Sequence, residues 1–457
     1  MYDMFDTIAA IATPPGTGGI GIVRISGENA FEIASAVFRP LSGKQLQNLR
    51  GYTARLGKAY SAEGELIDEA IVLVYRAPRS YTGENVAEIM CHGGDRPCTA
   101  VLRACIAAGA RMAERGEFTR RAYLSGRISL DEAEGVCALI NSASDEGERA
   151  AAALANGALA RELDDIRDDI TPLQAHLSAC MDFPEEDVEE LNADMLRSGI
   201  DGICERLERL KDSFRFGADL MRGVPTAIVG APNVGKSTLL NLLAGAPKAL
   251  VTPIAGTTRD VVEQRVCIGG TTLILADTAG IHQSGDPIEQ LGIERALQKA
   301  DEASLIIAVF DSSRELTAED RELIERLRGR RVLTVINKSD LTQRLDAAEI
   351  AQVLGEPVYI SANDPTSLRV MDEALSRVLA TAGFDSSAPL LATERQRACA
   401  EKAAEAAHEA ANAAADGAED AAYALLAETL GHIAELKGEN ADEAVIDEVF
   451  SRFCVGK

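Results

Sequence analysis

Gly230-Ala231-Pro232-Asn233-Val234-Gly235-Lys236-Ser237 has the residue types and spacing to hold a chain of phosphates. It follows the apolar run Ala227-Ile228-Val229, and a strand, a glycine loop and a helix in that order aim backbone N–H groups and a helix N-terminus at an anion. In this pattern Lys236 reaches the β- and γ-phosphates, Ser237 ligates Mg²⁺, and Thr238 follows in the first helical turn. Downstream, Asn337-Lys338-Ser339-Asp340 ends the apolar run Val332 to Ile336. The Asp340 carboxylate can accept from the N1–H and 2-amino group of guanine, a donor pair that adenine lacks. Ser361-Ala362-Asn363 follows a further short run at 357–360 and fits a loop whose backbone meets the guanine oxygen. Asp277-Thr278-Ala279-Gly280 ends the run 272–276 and fits D-x-x-G, whose Asp orients Mg²⁺ through water and whose Gly N–H senses the γ-phosphate. Between these lies Thr252-Pro253-Ile254-Ala255-Gly256-Thr257-Thr258-Arg259-Asp260, the place of a first switch, with Thr258 available to complete the Mg²⁺ shell. Each short motif is weak alone. All of them, in order and each beside its strand, specify GTP rather than ATP.

One position narrows the chemistry. Ras-type enzymes place a water-orienting Gln directly after D-x-x-G, whereas Ile281 stands here and cannot orient water. Hydrolysis therefore needs another water-positioner and another positive charge. Asp286 and Glu289 follow in or just after a polar stretch; on its own, Glu289 reads as a solvated carboxylate at a helix start.

Elements that position these loops can be traced along the 457 residues. Residues 1–120 carry short β-branched runs, such as 21–25 and 70–75, punctuated by glycine and proline, and read as an α+β domain. Residues 121–220 turn helical: 150–173 is rich in Ala, Leu, Arg, Glu and Asp at helix-like spacing, and 191–220 repeats apolar residues every three or four positions. Residues 221–380 alternate strand candidates (226–229, 272–276, 305–310, 332–336, 357–360) with helical patterns, which predicts a parallel, doubly wound sheet. Residues 381–457 return to helix, dominated over 398–415 by Ala and Glu. Such a stripe buries little area by itself and must pack closely on another helix, the candidates being those at 150–220. The α/β domain is thus expected as an insertion in a helical domain.

The formal charge of −26, from 46 basic and 72 acidic side chains, makes the chain a poor polyanion binder on its own; a nucleic-acid substrate would need a local basic patch or a partner. Nine dispersed cysteines without C-x-x-C pairs suit a reducing cytosol. The nearest pair, Cys91 and Cys98, matches no zinc spacing. No signal peptide and no membrane-spanning run are visible, so a cytoplasmic location is expected.

The chain closely resembles the MnmE (TrmE) family of tRNA modification GTPases. The resemblance is carried by residues 6–16 (Asp-Thr-Ile-Ala-Ala-Ile-Ala-Thr-Pro-Pro-Gly), by Gly256-Thr257-Thr258-Arg259-Asp260, by Gly292-Ile293-Glu294-Arg295-Ala296, and by the tail Phe453-Cys454-Val455-Gly456-Lys457. It reaches from one terminus to the other. It implies an N-terminal α+β domain for folate binding and dimerisation, and a Ras-like P-loop GTPase domain inserted in a helical domain. It implies a K⁺-dependent GTPase in which Asn233 and backbone oxygens of Thr252, Ile254 and Thr257 ligate K⁺, where an arginine finger would otherwise sit. The family's water-positioning acid maps onto Glu289. Folate contacts map onto Arg24, Glu88, Arg127 and Lys457, with Arg127 departing from the Lys usual there. Cys454 is implied as a nucleophile, although by itself it also reads as a small packed thiol. The expected whole is a homodimer working with the FAD-dependent partner MnmG (GidA) in a heterotetramer. Together they would add a carboxymethylaminomethyl-type group at C5 of the wobble uridine, position 34, of certain tRNAs. The carbon would come from 5-formyl- or methylene-tetrahydrofolate.

Two other classes fit part of the sequence. The nucleotide motifs alone would suit a ribosome-assembly GTPase switch, although no basic RNA-binding appendage is visible. A folate-binding regulator with a vestigial GTPase would not keep every nucleotide motif intact.

Overall fold

A computed structural model describes residues 6–142, 144–182, 193–245, 264–275, 303–379, 385, 387–439 and 441–457. The chain divides into two compact units, Met1–Cys137 with Ile433–Lys457, and Ala138–His432.

In the first unit seven strands form one sheet: β1 (Ile8–Ile11), β2 (Ile20–Ser26), β3 (Phe38–Pro40), β4 (Thr53–Tyr60), β5 (Leu66–Tyr75), β6 (Val86–His92) and β7 (Arg111–Met112), in the order β3-β4-β5-β6-β2-β1-β7. All neighbours are antiparallel except β1 and β7. Alternation sets which face is covered: Val72 and Val74 are fully buried with Val23, Ile25 and Ile89 under the helices Ala30–Val37 and Asp95–Ala107. The predicted α+β domain is therefore present, and the 21–25 and 70–75 runs lie in β2 and β5. Helix Leu130–Asn141 begins with a capping box in which Glu132 accepts from the Ser129 N–H at 2.8 Å and donates its own N–H to Ser129 Oγ at 3.4 Å. The final helix Glu443–Ser451 packs Val449 and Phe450 against Leu130 and Ala133.

Asp131 lies in the first turn of the helix Leu130–Asn141. It is completely buried, its Oδ1 accepts from Ser129 Oγ at 2.5 Å, and its Oδ2 has no partner. Burial, with Glu132 and Glu134 nearby, pushes its carboxyl up to about 6. In the unfolded chain the group ionises near its ordinary value, so between roughly pH 4 and 6 the folded state holds the extra proton and stability falls as pH rises. The penalty above pH 6 is about 3 kcal/mol, from 1.36 kcal/mol per pH unit. Asp131→Asn should raise the melting midpoint of this unit by about 6–12 °C at pH 8 and leave it nearly unchanged at about pH 3; equal shifts at both pH values would contradict this account of the carboxyl.

The second unit joins a helical bundle to an α/β domain. The run read as one helix over 150–173 is in fact two, Asp145–Ala155 and Ala158–Asp182, broken at Asn156 and Gly157, where Gly157 has φ +75°. Helix Ala193–Arg222 follows and leads into the α/β domain. Beyond that domain, helix Glu394–Ala415 packs along Ala193–Arg222 with Ala400, Ala403, Ala404, Ala407 and Ala410 buried. Its alanines allow the close approach expected of them, and the α/β domain is an insertion between these two helices.

The inserted sheet contains β8 (Val224–Val229), β9 (Gln264–Ile268), β10 (Thr271–Leu275), β11 (Leu305–Asp311), β12 (Val332–Asn337) and β13 (Val358–Tyr359), in the order β13-β12-β11-β8-β10-β9. Five strands match the predicted ones and are parallel to their neighbours, but β9 pairs antiparallel with β10 through a Gly269-Gly270 turn, so the sheet is mixed rather than wholly parallel. Its central strand β11 is buried on both faces. Ile307 and Val309 enter one core, and Ile306, Ala308 and Phe310 enter the other.

Candidate functional site

β8, β11, β12 and β13 are parallel, so their carboxyl ends lie along one edge of the sheet, where an open α/β sheet places its ligand. The phosphate-loop sequence leaves β8 there and opens into helix Lys236–Ala244. Gly230 and Gly235 have φ of +151° and +99°. A Cβ on Gly230 would lie 2.3 Å from the Val309 carbonyl, and one on Gly235 would lie 2.2 Å from Asn337 Nδ2, so both positions need glycine for space as well as conformation. Asn233 also takes a left-handed φ of +62°, which Asn tolerates. Lys236 Nζ donates at 2.8 Å to the carbonyls of both Gly230 and Ala231, and so lies across its own loop.

The Asn337-Lys338-Ser339-Asp340 motif is joined directly to this loop. The buried Asn337 amide donates to the Val234 carbonyl at 2.9 Å and accepts from the Ala362 N–H at 2.9 Å. One side chain thus fastens the phosphate loop to the Ser361-Ala362-Asn363 loop. Lys338 donates to the Asn233 carbonyl at 2.8 Å and to Asp311 at 2.6 Å. Burial alone would raise the Asp311 carboxyl, but Lys338 and the hydroxyl and N–H of Ser313 outweigh it and hold it below the usual carboxylate range. Ser312 Oγ donates to the Lys338 carbonyl at 2.6 Å, and Ser339 N–H donates to the Ile360 carbonyl at 3.0 Å. Asp340, after this fixed turn, is exposed and free to meet a base. Asp311 and Ser312 were not singled out from the sequence.

Ser237 is exposed in the first turn of its helix, and Thr238 is half-buried. A hydroxyl there is a hard oxygen donor of the kind Mg²⁺ takes. The side chain of Asn233 is exposed at the loop, and its amide oxygen is a neutral hard donor of the kind K⁺ takes. The remaining nucleotide positions, Thr252 to Thr258, Asp277 to Gly280, Ile281 and Glu289, lie outside the described residues.

A second cluster lies in the first unit. Arg24 on β2 and Glu88 on β6 are register partners, and Arg24 Nε donates to Glu88 Oε1 at 2.8 Å. Tyr75 donates to Glu88 Oε2 at 3.2 Å, and burial followed by this carboxylate pushes its phenol up to about 12. The Arg24 guanidinium lies 5.6 Å from the Phe118 ring centroid and also donates to the Gly456 carbonyl at 3.3 Å.

The C-terminal tail is seated at this cluster by its backbone. Gly116 N–H donates to the Cys454 carbonyl at 3.3 Å and Phe118 N–H to the Lys457 carbonyl at 3.1 Å, with Arg115 and Val455 bridged between them. Burial first, and then Arg24, push the Lys457 ammonium below its usual range, with Glu88 acting the other way. Arg24, Glu88 and Lys457, which are distant in sequence, are therefore brought together. Arg127 is exposed, and it and Arg24 both bear electrostatically on the phenol of Tyr81, which hydrogen-bonds Thr119 at 3.0 Å. The Cys454 thiol is exposed. Tyr75, Tyr81 and Phe118 were not read from the sequence; the alternation of the 70–75 run puts Tyr75 on a definite face but gives no partner. Among the described residues no group of three or more His, Cys, Asp or Glu side chains is arranged for a metal, and no helix is long and apolar enough to cross a membrane.

Comparison with known proteins covers both units. A family model described as the GTP-binding protein TrmE N-terminus matches residues 7–127, and one described as the MnmE helical domain matches residues 130–454. A protein of Symbiobacterium thermophilum named tRNA modification GTPase MnmE is 40% identical over 456 residues, 99% of each chain. One of the same name from Lactobacillus delbrueckii subsp. bulgaricus is 39% identical over 465 residues, 99% of this chain and 98% of its own. Among solved structures, the G domain of the T. maritima FeoB iron transporter aligns over 34% of this chain and 98% of its own, at 28% identity and a TM-score of 0.26.

Proposed function

The chain belongs to the MnmE family of tRNA modification GTPases, and from that membership we propose that it is a K⁺-dependent, cytoplasmic GTPase. As a homodimer working with an FAD-dependent MnmG-type partner, it would add a carboxymethylaminomethyl-type group at C5 of wobble uridine 34. The chain is a GTP hydrolase acting in tRNA modification.

In this reading Asp340 selects guanine, Lys236 and the loop N–H groups hold the phosphates, and Ser237 and Thr258 hold Mg²⁺. Asn233, with Thr252, Ile254 and Thr257, holds K⁺, which when bound supplies positive charge between β- and γ-phosphates. Turnover is then faster in K⁺ than in Na⁺. Glu289 orients the attacking water in place of the Gln that Ile281 replaces. Leu56 and Ile71, paired across β4 and β5, are 48% and 41% exposed, and this apolar sheet face favours self-association. The acidic charge favours a division of labour in which the partner holds most of the tRNA.

The observation that carries the folate reading is the seating of Lys457 beside Arg24 and Glu88. A carboxylate braced from both sides can accept from a pterin's amino and ring N–H groups, while Lys457 and Arg127 can meet the carboxylates of the glutamate tail. Cys454, exposed at the same tail, is the candidate nucleophile. Calorimetry with 5-formyl-tetrahydrofolate tests this. The wild-type chain should bind, and Glu88→Ala should lose about 30-fold or more in affinity with GTP affinity unchanged. No binding by the wild-type chain would favour the ribosome-assembly switch instead.

A further inference from the structure

Arg331 directly precedes β12, outside the nucleotide site, and grips both ends of the neck through which the α/β domain is inserted. Its guanidinium donates to the Asp219 carboxylate, in the last turn of the ingoing helix Ala193–Arg222. Its Nε donates at 3.2 Å to the carbonyl of Val378, the last residue of the outgoing helix Ser367–Val378. The Arg331 and Asp219 side chains are only 15% and 16% exposed, so water and salt screen the pair little.

The ingoing helix therefore has two stiff connections to the nucleotide site. One is covalent: Gly223 N–H donates to the Asp219 carbonyl at 3.1 Å, and β8 then runs to the phosphate loop. The other passes through Arg331 along β12 to Asn337 and Lys338, about 20 Å away at roughly 3.3 Å per residue. Leu333 to Asn337 are all buried, so this strand is packed on both faces and moves as a unit. On its other side the helix packs along Glu394–Ala415, with Ser213 Oγ accepting from Leu391 N–H at 3.1 Å.

We propose that Arg331 is a positioning residue for coupled turnover. It locks the ingoing helix, the outgoing helix and β12 into one body, so that a shift at the phosphate loop or at Asn337-Lys338 is delivered to the helical bundle. The alternative is a brace that stabilises the neck without transmitting nucleotide state. A brace and a coupler differ in one respect: only the coupler makes exchange in the helix depend on nucleotide.

Hydrogen exchange of the full chain with and without GDP separates them. In the wild-type chain, GDP slows exchange in phosphate-loop peptides and in peptides from 193–222. In Arg331→Gln, protection of the phosphate loop by GDP persists while the GDP-dependent protection of 193–222 disappears. GTP hydrolysis stays within about twofold and tRNA modification falls about tenfold or more. Asp219→Asn, close to isosteric, gives the same pattern and guards against misfolding of the first variant. The proposal is overturned if GDP leaves 193–222 unprotected in the wild-type chain. It is equally overturned if both variants raise exchange there while keeping the GDP-dependent difference. The exchange measurement needs no tRNA, folate or potassium, so it stands apart from the reading of the chemistry.

Discussion

Asp340→Asn should lower GTP affinity by about 100-fold or more and at the same time create affinity for XTP. Guanine offers Asp340 two N–H donors, and each charge-assisted bond is worth about 1.5–3 kcal/mol. Asn keeps one acceptor for N1–H but turns an N–H toward the 2-amino group, so one charge-assisted bond is lost and two donors are opposed, at a cost of roughly 3–6 kcal/mol, or about two to four powers of ten. Xanthine carries an oxygen where guanine carries the 2-amino group, and the Asn amide can donate to it. The variant should otherwise fold normally, because Asp340 is exposed and the turn around it is held by other groups: Ser339 N–H on the Ile360 carbonyl at 3.0 Å and Ser312 Oγ on the Lys338 carbonyl at 2.6 Å. Competition binding with the two nucleotides reads the result, and an unchanged preference for GTP would remove Asp340 from base recognition. Asn337 offers the contrast. It is buried and bonded at both ends of its amide, so its loss should weaken every nucleotide alike by loosening the phosphate loop.

Glu289→Ala should leave GTP affinity within about twofold and reduce kcat by about 100-fold or more, the range expected when a group acting on the attacking water is removed. Ile281 has no group able to orient water, so the task falls to another side chain. A uniform loss of binding would place Glu289 among the binding residues, and an unchanged kcat would end its assignment altogether.

Much of the architecture was legible because its signals are local. The runs at 226–229, 305–310 and 332–336 became β8, β11 and β12 to within a residue or two, since strands buried on both faces read as unbroken apolar stretches. β9 escaped notice because Gln264-Arg265-Val266-Cys267-Ile268 alternates weakly and lies at the sheet edge, where pairing with β10 rather than pattern makes the strand. The break at Gly157 was missed for a different reason: Ala-rich helix propensity continues on both sides of it. In the nucleotide site the motifs gave the residues but not their bonds. Nothing in N-K-x-D says that Lys338 spans Asp311 and the Asn233 carbonyl, because that contact joins residues 105 apart. The cluster of Arg24, Glu88 and Lys457 was least legible. Arg24, Glu88 and Lys457 came from family resemblance, and only the β2–β6 register and the tail's backbone bonds explain why they meet.

Nucleoside mass spectrometry of tRNA tests the proposed action of this GTPase on the wobble uridine most directly. In a strain lacking this chain, C5-modified wobble uridine should disappear and unmodified uridine should accumulate in its place. Re-expression of the wild-type chain should reverse both changes, and the Glu289→Ala chain should not. Unaltered wobble uridine in the deletion strain would contradict the account.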